Sequence, residues 1–111
     1  DFAWTRRVPP VVSELVTHAV GGKRPNPWAF YDMHGSAAEW VGDFYGDYST
    51  ANGADPSGST DEPLDGRVRV LRGGGITLSA VETRSAARAS FDTSVRLSTF
   101  GFRIVRRLVG D

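Results

Sequence analysis

The chain has 111 residues, enough for one domain with a modest core, and its 40% hydrophobic content is ordinary for a globular protein. Its 13 basic and 13 acidic residues balance, so we expect no nucleic-acid partner and no attraction to an anionic membrane. Cysteine is absent, which excludes disulfide bonds, thiolate metal sites and a cysteine nucleophile. The sequence contains neither an apolar run long enough to span a bilayer nor a signal-peptide pattern.

The first half of the chain predicts short elements separated by turns and loops. Residues 1–8 have the aromatic and β-branched composition of an edge strand. Residues 11–20 place apolar side chains at the spacing of a short amphipathic helix. Residues 39–45 alternate well enough to predict a strand. Residues 49–66 are rich in Ser, Asp, Gly and Pro, which predicts a long surface loop, and loops of that length are usually functional.

The second half predicts further strands. Residues 67–72 alternate strictly between basic and apolar side chains, which indicates a strand with one buried face. Three glycines at 73–75 end it and predict a tight turn where two backbones approach closely. Residues 84–88 and 100–108 have the composition of two more short strands. With 13 glycines and 6 prolines in all, the chain is expected to be rich in loops.

No residue pattern points to catalysis. The glycines at 73–75 are not followed by the Lys and Ser or Thr of a phosphate-binding loop. His18 and His34 lie far apart without other metal-ligand types at the right spacing, so we interpret both as hydrogen-bonded structural residues. The carboxylates between residues 55 and 65 do not have the spacing of a calcium-binding EF-hand loop.

Several motifs together resemble one known family. They are found in residues 17–35, in the Glu39-Trp40 pair, in residues 67–74, in residues 84–88 and in residues 101–103. In this order they are similar to the C-terminal part of the formylglycine-generating-enzyme domain, also called the sulfatase-modifying-factor domain. The similarity covers nearly the whole chain from residue 17 onward.

The resemblance implies an α+β, C-type-lectin-like fold of the formylglycine-generating-enzyme type. We therefore expect a single domain over residues 1–111 with a small, twisted, mostly antiparallel sheet, long loops and few short helices. Since the chain begins with Asp1 and not Met, we expect it to be the C-terminal part of a longer protein. The expected core is Trp28, Tyr31, Met33, Trp40, Phe44 and Phe102. Four motif arginines are expected to pin loops through ion pairs and backbone hydrogen bonds, namely Arg72, Arg84, Arg88 and Arg103.

Two departures from the family pattern bear on function. Oxidase members hold copper with a cysteine pair after the Gly-Gly motif, but residues 75–83 contain no thiol, which excludes formylglycine formation by that mechanism. Calcium-binding members use an Asn and a Glu in the turn that is here residues 35–40. Ser36 replaces the Asn, which leaves Glu39 as the candidate calcium ligand, and no other cofactor is expected.

Residues 67–103 are similar to the variable region of the proteins that diversity-generating retroelements modify. Fixed positions of that region match Ala80, Arg84–Ala86, Arg88, Arg96 and Gly101–Arg103. Glu82 does not fit the residue types that such diversification permits. The resemblance implies a ligand-binding face made of Ile76, Thr77, Leu78, Ser79, Ala87, Ala89, Ser90, Phe91, Val95, Leu97, Ser98 and Thr99.

We therefore predict a ligand-binding domain without catalysis, whose partner is a protein or another surface ligand. One alternative is that Leu78, Phe91, Val95 and Leu97 pack inward beneath the loops, as apolar side chains usually do. A second is a fragment of a formylglycine-generating-enzyme-like oxidoreductase with non-cysteine chemistry, such as an iron enzyme with ligands on another part of the protein. A third is an assembly domain without a small ligand. A surface-displayed or secreted location is compatible with a targeting segment ahead of Asp1.

Overall fold

One four-stranded sheet organises the fold, as seen in a computed structural model that describes residues 2–6, 15–47, 58–59 and 66–106. The strands are β1 (Ala38–Phe44), β2 (Val68–Arg72), β3 (Ala89–Asp92) and β4 (Phe100–Gly101). They lie side by side in the order β3-β2-β1-β4. No residue in the described ranges is helical. The predicted small sheet with long loops is therefore confirmed, whereas the expected short helices are not found in this part of the chain.

The sheet is mostly antiparallel, as predicted. β1 pairs antiparallel with β2, and β2 pairs antiparallel with β3, where Val68 lies opposite Asp92 and Leu71 opposite Ala89. β4 is parallel to β1, with Phe100 opposite Ala38. The register of β1 against β2 shifts between Trp40 and Phe44. Such an irregularity bends the strand locally and increases its twist.

The core lies at β2 and the turn that follows it. Val70 and Leu71 are 1% and 2% exposed, and Ile76 is 2% exposed. Consecutive strand residues point to opposite faces, so burial of both Val70 and Leu71 means that β2 is covered on both sides. Ala38 of the neighbouring β1 is the fourth buried apolar residue among those described. A small core centred on one inner strand therefore holds this part of the chain together.

Most of the predicted core residues lie elsewhere. Trp28 is 76% exposed and Phe102 is 74% exposed, while Tyr31 and Met33 are also exposed. Only Trp40 and Phe44 are even half-buried, so the prediction was wrong for the other four.

The local turn chemistry explains the exposure of Trp28. Asn26 Oδ1 accepts hydrogen bonds from the backbone amides of Trp28 and Phe30, both at 3.0 Å. A left-handed Ala29, with φ of 64°, completes this turn. The segment is therefore stabilised by its own polar groups, and its aromatic rings point away from the core.

The predicted strands were confirmed where apolar and polar side chains alternate regularly along the sequence. Residues 39–45 and 67–72 correspond to β1 and β2 within one residue at each end. Residues 84–88 form turns instead, with the Ala87 amide donating to the Arg84 carbonyl at 2.9 Å, and the strand begins only at Ala89.

The two ends of the predicted strand set also differ from expectation. Residues 100–108 contribute only the two-residue β4, since residues 102–106 are not in a strand and 107–108 lie outside the described residues. Residues 2–6 of the predicted edge strand make a single bridge, from Trp4 to Gly35. Residues 11–14 of the predicted helix and nearly all of the 49–66 loop lie outside the described residues, and residues 15–20 are not helical.

The predicted tight turn at the triple glycine is confirmed. Gly73 and Gly74 both have positive φ, of 81° and 66°. A Cβ atom at Gly74 would lie 2.6 Å from Thr83 Cγ2, so the backbone passes too close to its neighbour for any side chain. The Gly73 carbonyl accepts from the Gly35 amide at 2.8 Å, and the Ser36 carbonyl accepts from the Ile76 amide at 3.0 Å. These bonds fix the turn after β2 against the turn before β1.

Candidate ligand-binding site

An open cavity lies between the sheet and the segments that connect β2 to β3 and β3 to β4. Its volume is about 670 Å³, within the range of roughly 300–1,000 Å³ that is typical of ligand sites. Most of its lining comes from residues 74–100, with smaller contributions from β1 and β2. The lining residues are Ala38, Tyr45, Leu71, Gly74, Gly75, Thr77, Leu78, Glu82, Arg84, Ala86, Ala87, Arg88, Ala89, Phe91, Leu97, Thr99 and Phe100.

Three aromatic rings connect the cavity to the sheet. Phe91 of β3 meets Phe100 of β4 edge to face, with ring centroids 5.0 Å apart. Phe100 in turn meets Trp40 of β1 in the same way at 5.6 Å. Edge-to-face contacts of this kind add about 0.5–1.5 kcal/mol each to the effect of burial alone. Phe91 nevertheless remains 40% exposed, so its ring forms part of the cavity surface as well as part of this cluster.

The structure brings together seven of the twelve residues that the sequence predicted to bind a ligand. β3 explains two of them, because its alternation is regular and places Ala89 and Phe91 on the cavity side. Leu97 is 50% exposed at the cavity, so this side chain and Phe91 do not pack fully inward. The seven are Thr77, Leu78, Ala87, Ala89, Phe91, Leu97 and Thr99.

Ile76 is a correction to the predicted set. Its side chain is 2% exposed and belongs to the core. The hydrogen bond from its amide to the Ser36 carbonyl holds this part of the turn against the loop before β1, beneath the surface. A residue this deeply buried offers no side-chain surface to a ligand, so the prediction for Ile76 was wrong.

Four further predicted residues do not line the cavity. Ser90 lies on the opposite face of β3, as its position between Ala89 and Phe91 requires. Ser79 donates both its amide and its hydroxyl to Glu82, at 2.9 and 2.7 Å. The others are Val95 and Ser98. Their part in ligand binding stays a prediction.

Ten of the seventeen lining residues lie outside the predicted binding set, and Tyr45, Phe100 and Glu82 are three of them. Tyr45 follows β1, and its ring lies beneath the Arg88 guanidinium, 5.0 Å from ring centroid to Cζ. Phe100 was treated only as part of a strand. Glu82 was set aside because its residue type did not fit a variable position. The available signal for Tyr45 was an aromatic residue at the end of the predicted strand 39–45.

Glu82 is ionised and held within its own turn. The hydrogen bond from the Ser79 amide, assisted by the Ser79 hydroxyl, lowers the pKa of the Glu82 carboxyl below its ordinary value of 4.5. Positive charge on Arg6 acts in the same direction. Because its carboxylate is already bonded to Ser79, Glu82 shapes the turn at the cavity edge.

Two of the motif arginines pin the connecting segment by backbone hydrogen bonds, as expected. Arg72 Nη1 donates to the Ser85 carbonyl at 3.0 Å, and Arg84 Nη1 donates to the Val81 carbonyl at 2.9 Å. Charge-assisted bonds of this kind are about twice as strong as neutral ones. The backbone around the cavity is therefore held by residues outside the predicted variable set.

Arg103 is the third arginine that pins a loop, and its partner is the candidate calcium ligand. Both Glu39 carboxylate oxygens accept from Arg103, and the guanidinium also donates to the carbonyls of Tyr31 and Asp32. The hydrogen bond to Glu39 raises the pKa of Arg103 above its ordinary value. No group of three or more His, Asp or Glu side chains within the described ranges could hold a metal ion. The carboxylate predicted to bind calcium therefore serves an ion pair.

The prediction of a hydrogen-bonded structural histidine is confirmed for His34, whereas the His18 ring is held by stacking and its buried Nδ1 has no hydrogen-bond partner among the described residues; neither histidine lines the cavity. The His18 ring stacks on Trp4, with centroids 3.7 Å apart and planes 5° from parallel. His34 Nδ1 lies 2.8 Å from the Thr83 carbonyl oxygen. Across the residues that the structure describes, no helix has the length and apolar character needed to traverse a membrane.

Comparison with known proteins relates these features to solved structures. Treponema denticola variable protein 1 is 35% identical and superposes with a TM-score of 0.72, covering 91% of this chain and 34% of that chain. PvdO from Pseudomonas aeruginosa is 29% identical, with a TM-score of 0.73, covering 90% of this chain and 37% of that chain. The chain therefore spans about a third of either structure, and both share its formylglycine-generating-enzyme-type fold.

Among curated proteins, the chain is similar to two named serine/threonine-protein kinase pkn1. The one from Chlamydia pneumoniae is 36% identical over 85 residues, which is 76% of this chain and 14% of that protein. The one from Chlamydia caviae is 36% identical over 81 residues, 73% of this chain and 13% of that protein. The family profile described as a sulfatase-modifying factor enzyme 1-like domain matches residues 3–108. The chain therefore belongs to the family of sulfatase-modifying factor enzyme 1-like domains.

Proposed function

We propose that this chain is a non-catalytic ligand-binding domain that presents exchangeable side chains on a fixed scaffold. The observation that carries the proposal is the meeting of seven predicted variable residues at one open cavity. They come from three separate stretches of sequence, before, within and after β3. The ligand would be a protein or another surface molecule.

The division between scaffold and surface supports this function. The seven cavity residues are uncharged, and their side chains make none of the hydrogen bonds described above. The backbone that carries them is held instead by Arg72, Arg84 and the turn glycines. A site with this division can change the identity of its cavity side chains at little cost to the fold. Binding loops on a rigid immunoglobulin framework work by the same principle.

The likeness to a protein named variable protein 1 supports the finer proposal that a diversity-generating retroelement alters residues 67–103. Such diversification would need a second, imperfect copy of this coding segment near a reverse-transcriptase gene. The copy would have adenine-rich Asn codons at the cavity positions. Sequencing of the flanking DNA tests this directly, and a flanking region without such a copy would contradict the retroelement part of the proposal.

A display library tests binding itself. Thr77, Leu78, Ala89, Phe91 and Leu97 would be randomised together, and the library panned against several unrelated proteins. We expect folded display for most members and specific binders to more than one target. A matched library that randomises Val70, Leu71 and Ile76 should lose display, because those side chains form the core. Loss of display in both libraries, or binders in neither, would contradict the proposal.

Metal analysis separates this function from an enzymatic one. An oxidoreductase with non-cysteine chemistry would carry stoichiometric iron or copper in the full-length protein. We expect the purified full-length protein to contain less than one such ion per chain, and to show no increase after incubation with either metal. A tightly bound ion at one per chain would contradict the absence of catalysis.

A further inference from the structure

We propose that polypeptide of the same protein, outside residues 1–111, packs on a second surface of this domain and completes its hydrophobic core there. This surface, the apolar face, is formed by six exposed side chains, namely Phe2, Trp28, Phe30, Tyr31, Met33 and Phe102. None of the six lines the ligand-binding cavity. An interface at the apolar face therefore leaves the cavity open and is independent of the binding function proposed for it.

The rings of the apolar face are largely in contact with water. Trp28 is 76% exposed and Phe102 is 74% exposed, and Phe2 and Phe30 are each more than half exposed. Trp and Phe are among the residues that folded domains bury most. Removal of these rings from water would stabilise the fold, so a further element of the protein can cover the apolar face with a gain in free energy.

The side chains of the apolar face lie next to one another. Phe2, Phe30 and Met33 line one open hollow of about 300 Å³. The segment after β4 lies beside the same loop, because Arg103 donates to the Tyr31 carbonyl at 3.3 Å. Contiguous apolar surface marks an interface, whereas single exposed apolar residues are ordinary. The apolar face therefore has the character of an interface.

The loop that carries Trp28 is held in place by its own hydrogen bonds. Asn26 Oδ1 accepts from the amides of Trp28 and Phe30, and the Asn26 carbonyl accepts from the Ala29 amide at 2.9 Å. Trp28 is therefore presented outward by a defined turn. A side chain held in this way loses little further freedom when another surface covers it, which favours an interface.

The family motifs indicate a buried role for the same residues. Trp28, Tyr31, Met33 and Phe102 were expected in the core on the basis of those motifs, yet all four are exposed. All four lie within residues 3–108, which the family profile matches. Both observations are explained if these side chains pack against polypeptide beyond residues 1–111, because they are then exposed in this chain alone and buried in the longer protein.

The comparisons and the position of Phe2 favour the same polypeptide as the occupant. The two similar solved structures superpose on 91% and 90% of this chain, but the match covers only 34% and 37% of their own lengths. Each therefore has much polypeptide outside the matching part. Phe2 lines the hollow, so a segment that precedes residue 1 starts at the apolar face itself. A covalently attached segment has a high effective concentration at the surface where it begins, which a separate partner lacks.

Hydroxyl-radical oxidation of the natural full-length protein, read out by mass spectrometry, tests the interface without any substitution. Trp40 is half-buried in β1 and is the internal control. We expect Trp28 to be oxidised at a rate about equal to that of Trp40 or slower, because an interface removes its ring from solvent. A rate well above that of Trp40 would show that the apolar face stays open, and would overturn the proposal.

A pair of variants of the same full-length protein provides a second measurement. Phe102→Ser should lower the melting temperature by about 5 °C or more, because a ring buried in the interface is lost. Val81 is 71% exposed and belongs to neither the apolar face nor the cavity, so Val81→Ser should shift it by less than about 1 °C. Equal shifts for the two variants would overturn the interface.

Three further results would assign the apolar face to another occupant or leave it without one. Protection of Trp28 that disappears on dilution would assign the face to a second copy of the chain. Protection that appears only with phosphatidylcholine vesicles would assign it to a membrane surface. A natural protein whose polypeptide begins at residue 1 and ends at residue 111 would have no segment to cover the face. Each of these results would overturn the proposal.

Discussion

Arg103 and Glu39 lie 64 residues apart in the sequence, yet Arg103 donates to both oxygens of the Glu39 carboxylate. The two contacts run from Nε at 2.6 Å and from Nη2 at 2.5 Å. The same guanidinium donates to the carbonyls of Tyr31 at 3.3 Å and Asp32 at 3.1 Å. One side chain therefore joins β1, the loop before it and the segment after β4.

Removal of this junction should destabilise the fold. We expect Arg103→Lys to lower the free energy of unfolding by about 1–2 kcal/mol, because an ammonium group cannot reproduce the planar, two-pronged contact. Glu39→Gln should have a similar effect. Urea denaturation of both single variants and the double variant would give the coupling energy. Arg96→Lys serves as the control, and independent, additive effects of the two changes would contradict a direct pair.

Two glycines offer a sharp test of backbone packing. A Cβ atom at Gly35 would lie 1.9 Å from the Trp4 carbonyl oxygen, and its φ of 76° disfavours any other residue. We expect Gly35→Ala to lower the free energy of unfolding by roughly 3 kcal/mol or more, since the backbone at Trp4 must move away. Gly42→Ala is the matched control, because its Cβ would meet nothing within 4 Å. Equal thermal shifts for both variants would show that the Trp4–Gly35 bridge contributes little.

A serine substitution at a cavity residue and at a core residue tests whether the cavity side chains can be exchanged without loss of stability. Leu97→Ser should change the free energy of unfolding by less than about 1 kcal/mol, because half of that side chain is already in water. Ile76→Ser should cost about 3 kcal/mol or more, since it leaves a cavity and buries a hydroxyl group. Chemical denaturation measures both. A large loss at Leu97 would mean that the position is structural.

The carboxylates of Glu82 and Asp92 should make the stability of the fold decrease at acidic pH. Hydrogen bonds from Ser79 lower the pKa of Glu82 below 4.5, and those from Ser94 lower the pKa of Asp92 below 3.8. A carboxyl whose pKa is lower in the folded state than in the unfolded state stabilises the fold at any pH above its unfolded-state pKa. This stabilisation is lost as the pH falls through its folded-state pKa. The melting temperature should therefore decrease as the pH is lowered below about 4.5. Glu82→Gln combined with Asp92→Asn should flatten this decline, and an unchanged slope would contradict it.

Sequence patterns predicted those elements whose signal is local. β1 and β2 were found because alternation of side chains along a strand does not depend on distant residues. The third strand was predicted at residues 84–88, whereas β3 covers Ala89–Asp92, because the small and polar residues of β3 resemble a loop and only pairing with β2 makes them a strand. The aromatic run at residues 28–33 was misassigned to the core, since hydrophobic character does not reveal that the Asn26 turn directs Trp28 outward.

The candidate site was predicted in part for a similar reason. A motif register identified Phe91, Leu97 and Thr99, because fixed arginines and glycines mark the positions between them. Tyr45, which follows β1, and Phe100 of β4 also line the cavity, and no spacing in the sequence predicts that they lie close together. The same register placed Ile76 at the surface, whereas its side chain is buried in the core and its backbone amide donates a hydrogen bond to the Ser36 carbonyl.

The parallel pairing of β4 with β1 has a consequence for how the domain folds. β1 is central, but one of its partners follows about thirty residues later and the other about sixty residues later. Contacts so distant in sequence close slowly, because the entropy of ordering the intervening chain is lost before the contacts form. The edge of β1 that faces β4 therefore stays unpaired until the segment around Phe100 has been synthesised and has folded back onto it.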